Sequence, residues 1–130
     1  MQITDKTRKS IFFVLMLTSI IGSMIQTALS TALTPIMEDM SISADTAQWL
    51  TSSHTLIMGI MVLATAFLIR RFTCRTLFMV SMALLNAGLL LSALSSSFYM
   101  LLTGRILQAI SSGILTSLTQ VVILSTYPPE

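Results

Sequence analysis

The sequence predicts an all-α membrane protein with four transmembrane helices, and three observations lead to this prediction. Of its 130 residues, 54% are hydrophobic and 9% are charged, whereas a water-soluble domain of this length needs more polar surface. Four stretches reach the roughly 20 apolar residues that a helix needs to cross a bilayer. The charged residues collect between these stretches, with acids and bases in separate connections.

The four predicted spans cover residues 11–33, 49–69, 76–94 and 98–126, and only the last contains a charge, that of Arg105. Each must be a helix, because an open sheet would leave backbone groups unpaired in lipid. The first span is too long for a cleaved signal core and is interpreted as a helix that stays. Pro128 and Pro129 are expected to end the fourth helix. Residues 1–130 thus form one transmembrane region.

The distribution of charge predicts the orientation. Acidic residues occupy the first connection, whereas six of the seven basic residues fall on the opposite face of the membrane: Lys6, Arg8, Lys9, Arg70, Arg71 and Arg75. The positive-inside rule then places both termini in the cytoplasm. The net charge of +2 is too small to indicate a nucleic-acid partner. The expected partner is the lipid bilayer.

Polar side chains follow one face of two helices. The first helix carries Ser19, Ser23, Gln26, Ser30 and Thr34, and the fourth carries Arg105, Gln108, Ser112, Thr116 and Thr119, all at steps of three or four residues. This spacing keeps them on one side of a helix. Because polar groups in membrane helices avoid lipid, helices one and four are expected to line a cavity. The alternative for any single hydroxyl is a bond to its own helix.

Arg105 is the most informative single residue. A central arginine costs roughly 2.5–3.5 kcal/mol on insertion scales, so it needs a partner or a role. The alternative is that it snorkels to the outer surface. His54 is expected at the interface near Trp49, and a proton relay is the alternative. Small residues permit close helix contacts in helices three and four, at Ala83, Ala87, Ala109 and Gly113.

The predicted spans contain no carboxylate, and the chain has a single histidine and a single cysteine, Cys74. Such a set builds neither a catalytic constellation nor a metal site. We therefore expect no enzyme activity, no cofactor and no metal.

Several motifs resemble those of one transporter family. The run from Gln26 to Ile36 resembles the first-helix signature of the fourteen-helix drug/proton antiporters of the major facilitator superfamily, and Gln48-Trp49 is similar to the pair that opens their second helix. The connection after the second helix keeps Leu68, Arg71 and Arg75 of the family loop, and the fourth helix approaches the family's Arg-x-x-Gln-Gly-x-Gly motif with Arg105, Gln108, Ala109 and Ser111.

The resemblance implies the N-terminal four-helix part of a proton-coupled exporter of lipophilic, often cationic, compounds in the cell membrane. The chain is expected to be a fragment whose partners are small substrates, protons and the remaining transporter helices. The resemblance assigns the cytoplasmic gating loop to Leu68, Arg71 and Arg75 and a part in proton coupling to Arg105. Together with the polar stripes, it gives the residues expected at the proton-coupling site or cavity: Arg105, Gln108, Ser112, Thr116, Gln26 and Ser30. The alternatives are a small structural or regulatory membrane protein and an inactive remnant.

Overall fold

The computed structural model describes residues 5–126 as four helices. They are α1 (Asp5–Asp39), α2 (Ala44–Arg71), α3 (Cys74–Ala93) and α4 (Phe98–Thr126). All four are long and apolar enough to cross a membrane. The predicted fold class, an all-α protein with four transmembrane helices, is therefore confirmed.

Helices α1 and α2 extend beyond the apolar stretches that predicted them, α3 begins two residues earlier and ends one residue earlier than its span, and α4 has the predicted bounds. Helix α1 exceeds the predicted span 11–33 at both ends and contains Pro35, and α2 begins five residues before the predicted start at 49. Apolar content locates a span, whereas capping side chains determine where a helix begins. The hydroxyls of Ser43 and Thr73 accept hydrogen bonds from the backbone N–H groups three residues later and so begin α2 and α3. Pro128 and Pro129 lie outside the described residues.

Helix α4 lies between α2 and α3, and α1 packs more sparsely against α4 and α2. Helices α3 and α4 are antiparallel, because Gly88 faces Gly104 while Ser81 faces Ser111. Helices α2 and α4 run in the same direction. This follows because His54 meets Arg105 and, further along both helices, Met61 meets Gly113. The acidic first connection and the arginine-rich second connection therefore lie at opposite ends of the bundle.

Two glycines set the contact between α3 and α4. A Cβ on Gly88 would lie 2.7 Å from the carbonyl oxygen of Gly104, and a Cβ on Gly104 would lie 2.8 Å from the carbonyl oxygen of Gly88. Only glycine allows the two backbones to approach this closely. Ala83 and Ala87, which also permit a close contact, do not form one within residues 5–126, because both are exposed on another side of α3.

The small residues predicted in α4 do lie in helix contacts. Ala109 is fully buried, and Gly113 lies against α2, where an added Cβ would stand 2.6 Å from the Cβ of Met61. The buried cluster of Leu77, Ile114 and Leu118 fills the bundle nearer the arginine-rich end. Helix α4 thus contacts a different neighbour on each side, and this places its polar residues at several contacts.

Candidate functional site

Arg105 lies inside the bundle, with 2% of its surface exposed. Its Nη1 donates to Oε1 of Gln108, one turn further along α4, at 2.7 Å. Its Nη2 donates to Oε1 of Gln26 on α1 at 2.5 Å. The Nε atom is buried without a hydrogen-bond partner. The guanidinium therefore points inward and does not snorkel, and its partners are neutral amides.

Gln108 continues this network toward α3. Its Oε1 accepts from Arg105, while its Nε2 donates to Oγ of Ser92 at 3.2 Å. The result is a chain of side chains from Gln26 on α1, through two residues of α4, to Ser92 on α3. Two of the predicted site residues, Gln26 and Gln108, thus meet Arg105 directly. Ser92 was not among the predicted site residues, and the signal that could have indicated it is its helical spacing from the buried Gly88 and Leu85, at four and seven residues.

His54 is the member of this site that the sequence did not predict to face inward. Its side chain is 8% exposed, and its Nδ1 lies 3.4 Å from the backbone oxygen of Arg105. Because a carbonyl oxygen can only accept, this contact requires the proton on Nδ1. The imidazole thus faces α4 and not the headgroups expected at the interface. Its spacing from the buried Ala47 and Leu50, at seven and four residues, is the helical signal that indicates this inward face.

A cavity of about 550 Å³ adjoins this network and lies mainly between α1, α2 and α4. The predicted stripes of α1 and α4 line it through Ser19, Ser23, Gln26, Ser112, Thr116 and Thr119. The expectation that helices one and four alone would line it is incomplete, because α2 contributes His54, Thr55 and Met58.

Ser30 and Thr34 do not belong to the cavity. Both side chains are exposed, and the hydroxyl of Ser30 donates to the backbone oxygen of Gln26 at 3.2 Å. The α1 stripe therefore lines the cavity only as far as Gln26 and Thr27. Ser30 therefore lies outside the cavity that residues 5–126 form, and its assignment to a transport cavity stays a prediction.

The hydroxyl groups that line the cavity share one hydrogen-bond pattern. Eight serine or threonine side chains contribute to the lining. Ser112 is the exception. The other seven each donate to the backbone oxygen four residues earlier in their own helix: Thr18, Ser19, Ser23, Thr27, Thr55, Thr116 and Thr119. The sequence left two interpretations for each hydroxyl, a bond to its own helix or a place in the cavity wall. These hydroxyls do both.

The predicted loop residues lie at the end of the bundle away from the acidic connection. Leu68 is half-buried and packs against the cluster of Leu77, Ile114 and Leu118, whereas Arg71 and Arg75 are exposed. Helix α2 ends here, where the backbone N–H of Phe72 donates to the oxygen of Leu68 at 2.8 Å. The structure does not bring these residues to the Arg105 network.

Comparison with known proteins identifies the family to which the chain belongs. The family model of the Major Facilitator Superfamily matches residues 12–130. The chain is 42% identical over 123 residues to the uncharacterized MFS-type transporter YcnB of Bacillus subtilis, covering 95% of this chain and 26% of YcnB. It is 41% identical over 116 residues to the lincomycin resistance protein LmrB of the same species, covering 89% of this chain and 24% of LmrB.

A second uncharacterized MFS-type transporter of Bacillus subtilis, YhcA, is 38% identical over 125 residues, which cover 96% of this chain and 24% of YhcA. The chain thus spans about a quarter of the length of these curated relatives. No solved structure matches it. The four apolar helices and the family match together make this a multi-pass membrane protein, and the chain belongs to the major facilitator superfamily.

Proposed function

We propose that this chain supplies the first four helices of a proton-coupled secondary exporter of lipophilic or toxic compounds in the cytoplasmic membrane. The observation that carries the proposal is the buried Arg105, held by Gln26 and Gln108 beside a cavity with hydroxyl-bearing walls. Membership of a transporter family supports it, as does the similarity to LmrB, whose name records lincomycin resistance.

The Arg105 network supports coupling through electrostatics. The guanidinium is balanced only by the dipoles of two amides, and charges inside a low-dielectric region interact far more strongly than in water. A proton or a cationic substrate that enters the adjoining cavity would therefore change the energy of this site. Such a change can bias a transporter between two conformations, since each ligand shifts the equilibrium by its differential affinity.

The orientation and the loop belong to the same proposal. Both termini lie in the cytoplasm, and the connection with Leu68, Arg71 and Arg75 acts as the gating loop on that side. The clustering of exposed arginines at one end of the bundle supports this orientation through the positive-inside rule. Leu68 would connect the loop to the packed interior through its contact with the Leu77 cluster.

The test is proton-driven efflux of ethidium from proteoliposomes that contain the full-length protein. We expect Arg105→Ala to abolish efflux while the protein still inserts. Arg105→Lys keeps the charge but cannot reach both amides with one planar group, so we expect a loss of at least about tenfold. Lys9→Gln removes an exposed positive charge and serves as the matched control. Efflux that survives in both Arg105 variants would refute the proposed role.

A further inference from the structure

We infer that the cavity between α1, α2 and α4 recognises ligands through their hydrogen-bond donors, so that compounds rich in O–H or N–H groups bind in it. The inference rests on the proposed function, since it assigns a substrate class to the same site. It comes from the direction of the hydrogen bonds in the cavity wall.

The hydroxyl groups of the wall are committed as donors. Seven of the eight give their single proton to a backbone oxygen of their own helix, at distances of 2.8 to 3.1 Å. A hydroxyl that has donated its proton keeps two lone pairs and can only accept from a ligand. To donate instead, it would have to give up a bond in apolar surroundings, where an unmade hydrogen bond is costly.

His54 adds an acceptor of a different kind. Its Nδ1 is committed to the backbone oxygen of Arg105, so in the neutral ring Nε2 carries a lone pair. His54 lines the cavity. Arg105 Nε is a fully buried side-chain atom without a hydrogen-bond partner, whereas His54 Nε2 is not such an atom. The lone pair is therefore available to a donor on a ligand. Hydroxyl oxygens from α1 and α4 and the imidazole of α2 then converge on one volume.

The acceptor character of the wall also disfavours anions. An anion brings only lone pairs of its own and would face acceptor lone pairs along most of the wall. The cavity of about 550 Å³ has the size of a site for a small organic molecule.

The test uses phenyl β-D-glucopyranoside as the probe. Each of its hydroxyl groups is replaced in turn by fluorine, which preserves nearly the same volume and removes one donor. Binding is followed in the full-length protein in lipid nanodiscs through the ¹⁵N signals of His54, the single histidine of these 130 residues. His54→Gln identifies those signals by their loss.

We expect saturable binding that shifts the Nε2 signal, and at least one fluorinated analogue that binds about tenfold more weakly. Two threonines of α4 provide a matched pair of variants. Thr116 lines the cavity, and Thr103 makes the same local bond but does not line it. Thr116→Val should weaken binding roughly two- to tenfold, since it removes one acceptor, and Thr103→Val should not.

Three results would overturn the inference. They are no binding of the glucoside, equal binding of the glucoside and all of its fluorinated analogues, and equal affinities in Thr116→Val and Thr103→Val. The proposed function fails on separate evidence. A donor-selective site in a protein that transports nothing would refute proton-coupled export alone, whereas drug efflux without glucoside binding would refute the inference alone.

Discussion

Replacing Gly104 by alanine should separate α3 from α4 and destabilise the bundle. The new Cβ would lie 2.5 Å from Oγ of Ser92 and 2.8 Å from the backbone oxygen of Gly88. The serine hydroxyl can rotate away, but it then gives up the bond it accepts from Gln108. The backbone oxygen of Gly88 cannot rotate away. The helices must therefore move apart by a few tenths of an ångström.

The expected magnitude follows from two opposing terms. An added methyl group in a packed interior costs about 1–3 kcal/mol, whereas alanine gains up to about 1 kcal/mol over glycine in helix propensity. With the full propensity gain, Gly104→Ala should therefore lower the free energy of unfolding by up to about 2 kcal/mol. Gly59→Ala is the matched control, because a Cβ on Gly59 meets nothing within 4 Å. It keeps only the propensity gain, which both variants share, so the two should differ by the packing cost of about 1–3 kcal/mol.

The assay is unfolding of each variant in mixed micelles with increasing dodecyl sulfate, followed by circular dichroism. The midpoint for Gly104→Ala should fall below that of the original protein, and the midpoint for Gly59→Ala should equal or exceed it. If both variants unfold at the same dodecyl sulfate concentration, the close approach of α3 and α4 is refuted. Gly104→Val extends the series and should unfold earlier still, because its larger side chain needs more space at the same contact.

Three further predictions concern topology and the polar network. A membrane-impermeant maleimide should label the exposed Cys74 only from the cytoplasmic side. In a Cys74→Ser background, Asp45→Cys should react only from outside. Labelling of both positions from the same side would refute the four-span topology. Gln26→Leu should reduce ethidium efflux at least about tenfold, because it removes the α1 partner of the Arg105 guanidinium. Ser30→Ala should leave efflux unchanged, because that hydroxyl bonds only within α1, and an equal loss in both variants would contradict the geometry.

The positions of the four helices could be predicted from the sequence because the apolar length of a span is a local property. The close approach of Gly88 and Gly104 could not, since it depends on how far each helix is rotated about its axis. Ala83 and Ala87 have the same spacing as Ala109 and Gly113, yet the first pair is exposed and the second is buried. A pattern of small residues shows that a close contact is possible, and packing decides whether it forms.

The polar stripe of α4 shows why a correct pattern can still give an incomplete site. Arg105, Gln108, Ser112 and Thr116 share a helical face in the sequence, but α4 has neighbours on three sides. Arg105 therefore reaches Gln26 on α1 while Gln108 reaches Ser92 on α3. No other side-chain hydrogen bond joins α1 to another helix within residues 5–126. The link between Arg105 and Gln26 thus holds the most sparsely packed helix to the rest of the bundle. A ligand that alters this link would also alter how α1 sits against the cavity that the ligand occupies.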